Sequence, residues 1–147
     1  MNEQIRYGPG AVPRRNAEGY QDPTAHVALL TIKKEDRVFR PLVYICSPYA
    51  GSNKEKNIAN AQRYCRFAVD SGFLPIAPHL YFPQFMDDGD SRDHNTATFM
   101  NTVLMTKCTE VWVFGDTISN GMAAEIRRAE ATQKPVRYFS TNCKEVR

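Results

Sequence analysis

The chain has 147 residues, of which 42% are hydrophobic and 24% charged, with a formal net charge of +3. That length supports one domain with a core that needs no covalent staples, and the composition excludes a disordered chain. No run approaches membrane-spanning length, and the basic pairs Arg14-Arg15, Lys33-Lys34 and Arg127-Arg128 are dispersed rather than gathered into the stripe of a nucleic-acid binder.

Residues 1–21 hold Gly8, Pro9, Gly10, Pro13 and Gly19 among polar residues, a pattern that predicts an arm rather than a packed element. Residues 22–40 predict an accessory helix and linker. Asp22 suits the N-cap, Pro23 the first helical position, and Ala25, Leu29 and Ile32 form one apolar stripe. The α/β domain is expected over 41–147.

Leu42-Val43-Tyr44-Ile45-Cys46 has the character of a buried parallel strand, followed by a turn over Ser47-Pro48-Tyr49-Ala50-Gly51-Ser52. From Asn53 to Ser71 the positions Ile58, Ala61, Cys65 and Ala68 recur at helical spacing, and Gly72 closes the helix. Leu74 to Ala77 reads as a short strand. Residues 78–92 read as a long loop carrying His79, Tyr81, Asp87, Asp88 and Asp90, and a helix is expected from about Asp93 to Lys107. Val111 to Phe114 is the third strand, a helix capped by Ser119 follows, and Val136 to Phe139 is the last strand. This alternation predicts an α/β fold of Rossmann-like or flavodoxin-like type. Its form is a three-layer sandwich around a four- to five-stranded parallel sheet, with the N-terminal arm and helix added. Ligands in such sheets bind beyond the carboxyl ends of the strands, where the Ser47 turn, the His79 loop and the Ser119 turn all lie.

Within that rim, Glu125 stands out. A capping-box acid after Ser119 would fall at position 122, which is Met122, so capping does not account for it. A helical side chain leans toward the helix N-terminus, so Glu125 reaches back over Gly121, where no side chain obstructs it. The competing reading is a solvated glutamate paired with Arg128 at i+3.

Cys46, Cys65, Cys108 and Cys143 are scattered without a CxxC pair and suggest neither a zinc site nor a redox dithiol. Asp87-Asp88-Gly89-Asp90 lacks the bidentate glutamate that ends a calcium loop and reads as a solvated turn. No metal and no cofactor is expected. The first ten residues lack an apolar signal region, so a cytoplasmic protein with reduced thiols is expected.

The pattern resembles the nucleoside 2-deoxyribosyltransferase-like superfamily, including the small deoxynucleoside 5′-monophosphate N-glycosidases. More closely it resembles a bacterial and phage branch of small domain-of-unknown-function proteins. The marks are Val43 to Tyr49, Ala77-Pro78-His79, Phe82 to Phe85 and Val111 to Gly115. Likeness to the characterised enzymes rests on two short motifs, and it implies residue roles. Tyr44 matches the tyrosine that hydrogen-bonds the catalytic glutamate. Ser119 matches a sugar- or phosphate-contacting position, Gly121 a close backbone approach, and Glu125 the nucleophile.

An aspartate that helps protonate the departing base in those transferases would fall at Thr102, with Asn101 beside it. Neither is a carboxylic acid, although Asn101 can hydrogen-bond a base. Ser47, Tyr49, Gly51 and His79 complete the expected substrate-binding set. The resemblance implies an N-glycosidase or deoxyribosyltransferase acting on a nucleoside or nucleotide, assembled as a homodimer or higher homo-oligomer. The alternative is a binding module of the same fold that holds a nucleotide or nucleotide-derived signal without turning it over.

Overall fold

The computed structural model describes residues 37–51 and 53–146. The expected arm and accessory helix lie outside these residues. Four strands alternate with helices: β1 (Leu42–Cys46), α1 (Lys54–Asp70), β2 (Leu74–Ile76), α2 (Pro78–Tyr81), α3 (Ser91–Lys107), β3 (Glu110–Phe114), α4 (Asn120–Ala131) and β4 (Val136–Phe139). All pairings are parallel and the order across the sheet is β2-β1-β3-β4. This is the expected α/β three-layer fold, with four strands.

The central strands β1 and β3 are buried along nearly their whole length, because helices cover both faces. Period-two alternation divides their side chains. Val43 and Ile45 join Tyr64 and Ala68 of α1 with Trp112, Phe114 and Phe139 on one face. Tyr44 and Cys46 point to the other face, among Met105, Cys108, Val111, Val113 and the Met122, Ile126 and Ala129 stripe of α4. Tyr64 lies outside the expected α1 stripe, yet it is fully buried and stacks on Phe114 at a centroid distance of 4.2 Å.

Residues 78–92 differ from the expected irregular loop. Pro78 starts the single helical turn α2, Phe82–Gln84 adds a 3₁₀ turn, and Asp90 caps α3 by accepting from the amides of Arg92 and Asp93 at 2.8 and 3.1 Å. The prolines supply a preset φ for these turns, and the cap sets the start of α3 at Ser91, two residues before the expected position.

At the sheet's outer edge, the amide of Leu74 donates to Pro41 in the β1 direction, so Pro75 presents its missing donor outward. At the opposite edge, Phe139 of β4 bridges antiparallel to Glu145, and the amide of Val146 donates to Tyr138. Among the described residues no helix is long and apolar enough to cross a membrane.

From β1 the chain winds outward to β2, then crosses back to β3. The loops after β1 and β3 therefore diverge and open a crevice at the carboxyl ends of the central strands. Gly115, with φ of +107°, makes the turn out of β3 in a conformation that costs glycine little. There an added Cβ would lie 3.8 Å from the Pro48 ring.

Candidate active site

The crevice holds a cavity of about 480 Å³ whose lining includes Ser47, His79, Asn101, Ser119, Gly121 and Glu125. Ser119 caps α4 by accepting from the amide of Met122 at 3.2 Å, as its position in the sequence predicts. Glu125 sits one turn further along. A Cβ built on Gly121 would meet only Ser119 Oγ, at 4.0 Å, so the ground over which Glu125 leans is open.

The Tyr44 hydroxyl donates to Glu125 Oε1 at 2.9 Å, joining positions 81 residues apart in sequence. Cys46, two residues along the same strand face, brings its buried thiol within hydrogen-bonding reach of the same carboxylate. Its Sγ also lies 3.9 Å from the Met122 carbonyl oxygen.

Opposing effects act on Glu125. Burial raises its pKa, whereas hydrogen bonds from Cys46 and Tyr44 and the field of Arg128 pull it back, and the balance stays above the ordinary carboxylate value. Arg128 lines the cavity with Glu125 and acts on it through its field, while the close contact is with Tyr44. Burial and the adjacent carboxylate push the Tyr44 phenol and the Cys46 thiol far up, so both keep their protons and remain donors.

On the opposite wall, Ser47 Oγ and His79 Nε2 share a hydrogen bond of 2.9 Å, and Tyr49 meets the His79 ring edge-on at 6.0 Å. Burial lowers the His79 pKa to about 4, so this imidazole is neutral near pH 7. The third wall comes from α3. His94, Thr98 and Asn101, at i, i+4 and i+7, all line the cavity, and Asn101 Oδ1 is buried without a hydrogen-bond partner. Thr102 Oγ1 is turned back to the Thr98 carbonyl at 2.9 Å.

A family model described as a domain of unknown function, DUF7768, matches residues 41–139. The chain belongs to this family. No curated protein matches the sequence. Among solved structures, the DUF7768 chain is similar to the 2-deoxyribosyltransferase of the psychrotolerant bacterium Bacillus psychrosaccharolyticus. Identity is 20% and the TM-score 0.53, over 67% of this chain and 72% of that one. At that identity the likeness is one of fold, a deoxyribosyltransferase-like α/β sandwich.

Of the residues singled out in the sequence, this DUF7768 structure brings Ser47, Tyr49, His79, Asn101, Ser119, Gly121 and Glu125 to one cavity, with Tyr44 bonded to Glu125 from beneath. Gly51 is exposed and does not line it. Asp88, His94, Thr98 and Arg128 line the cavity but were not legible as site residues. Asp88 belongs to a stretch that reads as a solvated acidic turn, which the fold of 78–92 carries back to the rim, and His94 lies in the first turn of α3. Among the described residues no group of three or more His, Cys, Asp or Glu side chains is placed to hold a metal.

Proposed function

We propose that this DUF7768 protein cleaves or transfers the N-glycosidic bond of a nucleoside, a nucleotide or a related N-glycoside, with Glu125 as nucleophile. The observation that carries this reading is the 2.9 Å bond from Tyr44 to Glu125 at the floor of a cavity of about 480 Å³. Rupture of the bond develops positive charge on the sugar ring. A carboxylate beneath the anomeric carbon stabilises that charge and can trap the sugar as a glycosyl ester. A glutamate held by Tyr44 and partly desolvated suits the task, since the hydrogen bond fixes its rotamer and desolvation strengthens its pull on the oxocarbenium carbon. The sugar is assigned to the floor near Ser119 and Gly121, and the base to the space between Tyr49, His79 and Asn101. Entry of water gives hydrolysis, and entry of a second base gives transfer. The fold shared with a 2-deoxyribosyltransferase is consistent with this chemistry.

A second reading, a binding module without turnover, is favoured by the carboxamide of Asn101 and the engaged hydroxyl of Thr102, which leave that part of α3 without an acid. Mass spectrometry of free base released from nucleosides, 5′-monophosphates and nicotinamide dinucleotides separates the two. The proposal expects release by the wild type and a loss of about 10³-fold or more in Glu125→Ala. Stoichiometric binding with every ligand recovered intact would establish the binding module instead.

A further inference from the structure

If Glu125 attacks the sugar, the departing base needs a proton, and α3 does not supply one from Asn101 or Thr102. Serine hydroxyls hold their protons too tightly to act alone near neutrality, and a guanidinium does not give its proton up. The proton of Tyr44 is committed to Glu125, and the Cys46 thiol, its pKa pushed far up by burial, faces the Met122 carbonyl oxygen at 3.9 Å. Histidine is the side chain suited to proton exchange near neutral pH, and the cavity lining contains two. His79 is neutral and hydrogen-bonded to Ser47, so it has no acidic proton to give.

His94 is built differently. It stands two turns before Asn101 on the same face of α3, and its Nδ1 lies 3.1 Å from Asp88 Oδ1. A carboxylate only accepts, so Asp88 fixes the proton on Nδ1 and leaves Nε2 as the exchanging nitrogen. Nε2 has no hydrogen bond to any described residue. Both side chains line the cavity that contains Glu125 and remain 60% and 57% exposed, so the imidazole can be reprotonated from solvent between turnovers.

We infer that the Asp88–His94 pair is the acid–base device of this site, His94 protonating the base as it leaves and deprotonating the water that follows. The inference rests on the N-glycosidase reading above. In the first half, the C1′–N bond breaks with its electron pair going to the base nitrogen. That nitrogen takes the proton from His94 Nε2, while a Glu125 oxygen bonds to C1′. In the second half, water attacks C1′ and passes a proton to the now neutral Nε2, and the ester bond breaks with its electrons returning to Glu125. The charged and titratable groups that line the cavity with His94 are Asp88 in the turn before α3, His79 on α2, and Glu125 and Arg128 on α4.

The test measures base release by wild type, His94→Gln, Asp88→Asn and Glu125→Ala on two substrate sets. One set carries ordinary purines and pyrimidines. The other carries nicotinamide or N7-methylated purines, which leave without needing a proton. His94→Gln is expected to slow single-turnover base release, which reads the first half alone, by about 10²-fold or more on the first set and less than about threefold on the second. Asp88→Asn should show the same pattern at about tenfold. An exposed ion pair contributes little to folding, so both variants should melt close to the wild type.

Equal losses on both sets, or no loss on either while Glu125→Ala is dead, would overturn the inference and leave the glutamate chemistry standing. No release of base from either set by the wild type would remove both together.

Discussion

The two faces of β1 are made from alternate residues of one five-residue strand, yet they are built on different principles. Val43 and Ile45 enter a face dense with rings, where Trp112 packs on Phe73 at 4.7 Å and on Phe139 at 4.9 Å, and Phe114 stacks on Phe139 at 4.9 Å. Even the polar atom on that side is spoken for, since Trp112 Nε1 donates to Glu110 at 2.6 Å and Glu110 in turn accepts from Arg137. Tyr44 and Cys46 enter a face of smaller aliphatic and sulfur side chains, where a carboxylate is left partly desolvated at the edge of the packing. One face buries large rigid surfaces with its indole N–H paired. The other retains a group whose charge is costly, an imbalance that the proposed nucleophile would use.

The comparison is broken most decisively at Trp112. Trp112→Ala should cost about 3–5 kcal/mol by chemical denaturation, the range for truncating a large buried aromatic. A cost below about 1 kcal/mol would mean that the ring-rich face is not where the stability resides. Tyr44→Phe sharpens the contrast from the other side. It should lower base release about tenfold to a hundredfold while costing only about 1 kcal/mol of stability. Because the phenol favours the ionised glutamate, its loss should also move the acid limb of the pH profile upward.

The smallest effect is expected at Glu125 itself, read through stability. Its folded pKa lies above the unfolded value, so between those two values the native state binds more protons and stability falls as pH rises. Glu125→Gln should therefore melt higher than wild type at pH 8, with the gain fading as the pH falls toward the ordinary carboxylate range. A lower melting temperature at pH 8 would show that the two donors outweigh the burial.

Much of this was written locally in the sequence. The apolar runs at 42–46, 111–114 and 136–139 carry the strands, Ser119 caps α4 where expected, and the stripe Met122, Ile126, Ala129 is the face that α4 buries. These signals are short-range, because a strand's burial and a helix cap depend on neighbours within a few positions. Tyr64 was missed although it stands three residues after Ala61 and four before Ala68 on the buried face, because the expected stripe put Cys65, only half-buried, in its place. At the site, Tyr44 and Glu125 could be picked out by family resemblance and by the absence of a capping explanation. Asp88 and His94 could not be, since polar residues in a turn or in the first turn of a helix look the same whether they face bulk water or a cavity. Cys46 was equally silent: a buried thiol reads as a small apolar residue until the carboxylate beside it is seen.

The borders of the sheet have a consequence for how the protein behaves in a crowded cell. A parallel sheet of four strands offers two rows of backbone groups that could recruit a strand from another chain. Here Pro75 removes the central donor from the three-residue strand on one border, and the returning segment at Glu145 and Val146 occupies the other. Both borders therefore offer little to an incoming strand, which disfavours fibril-like growth by strand addition between copies of the domain.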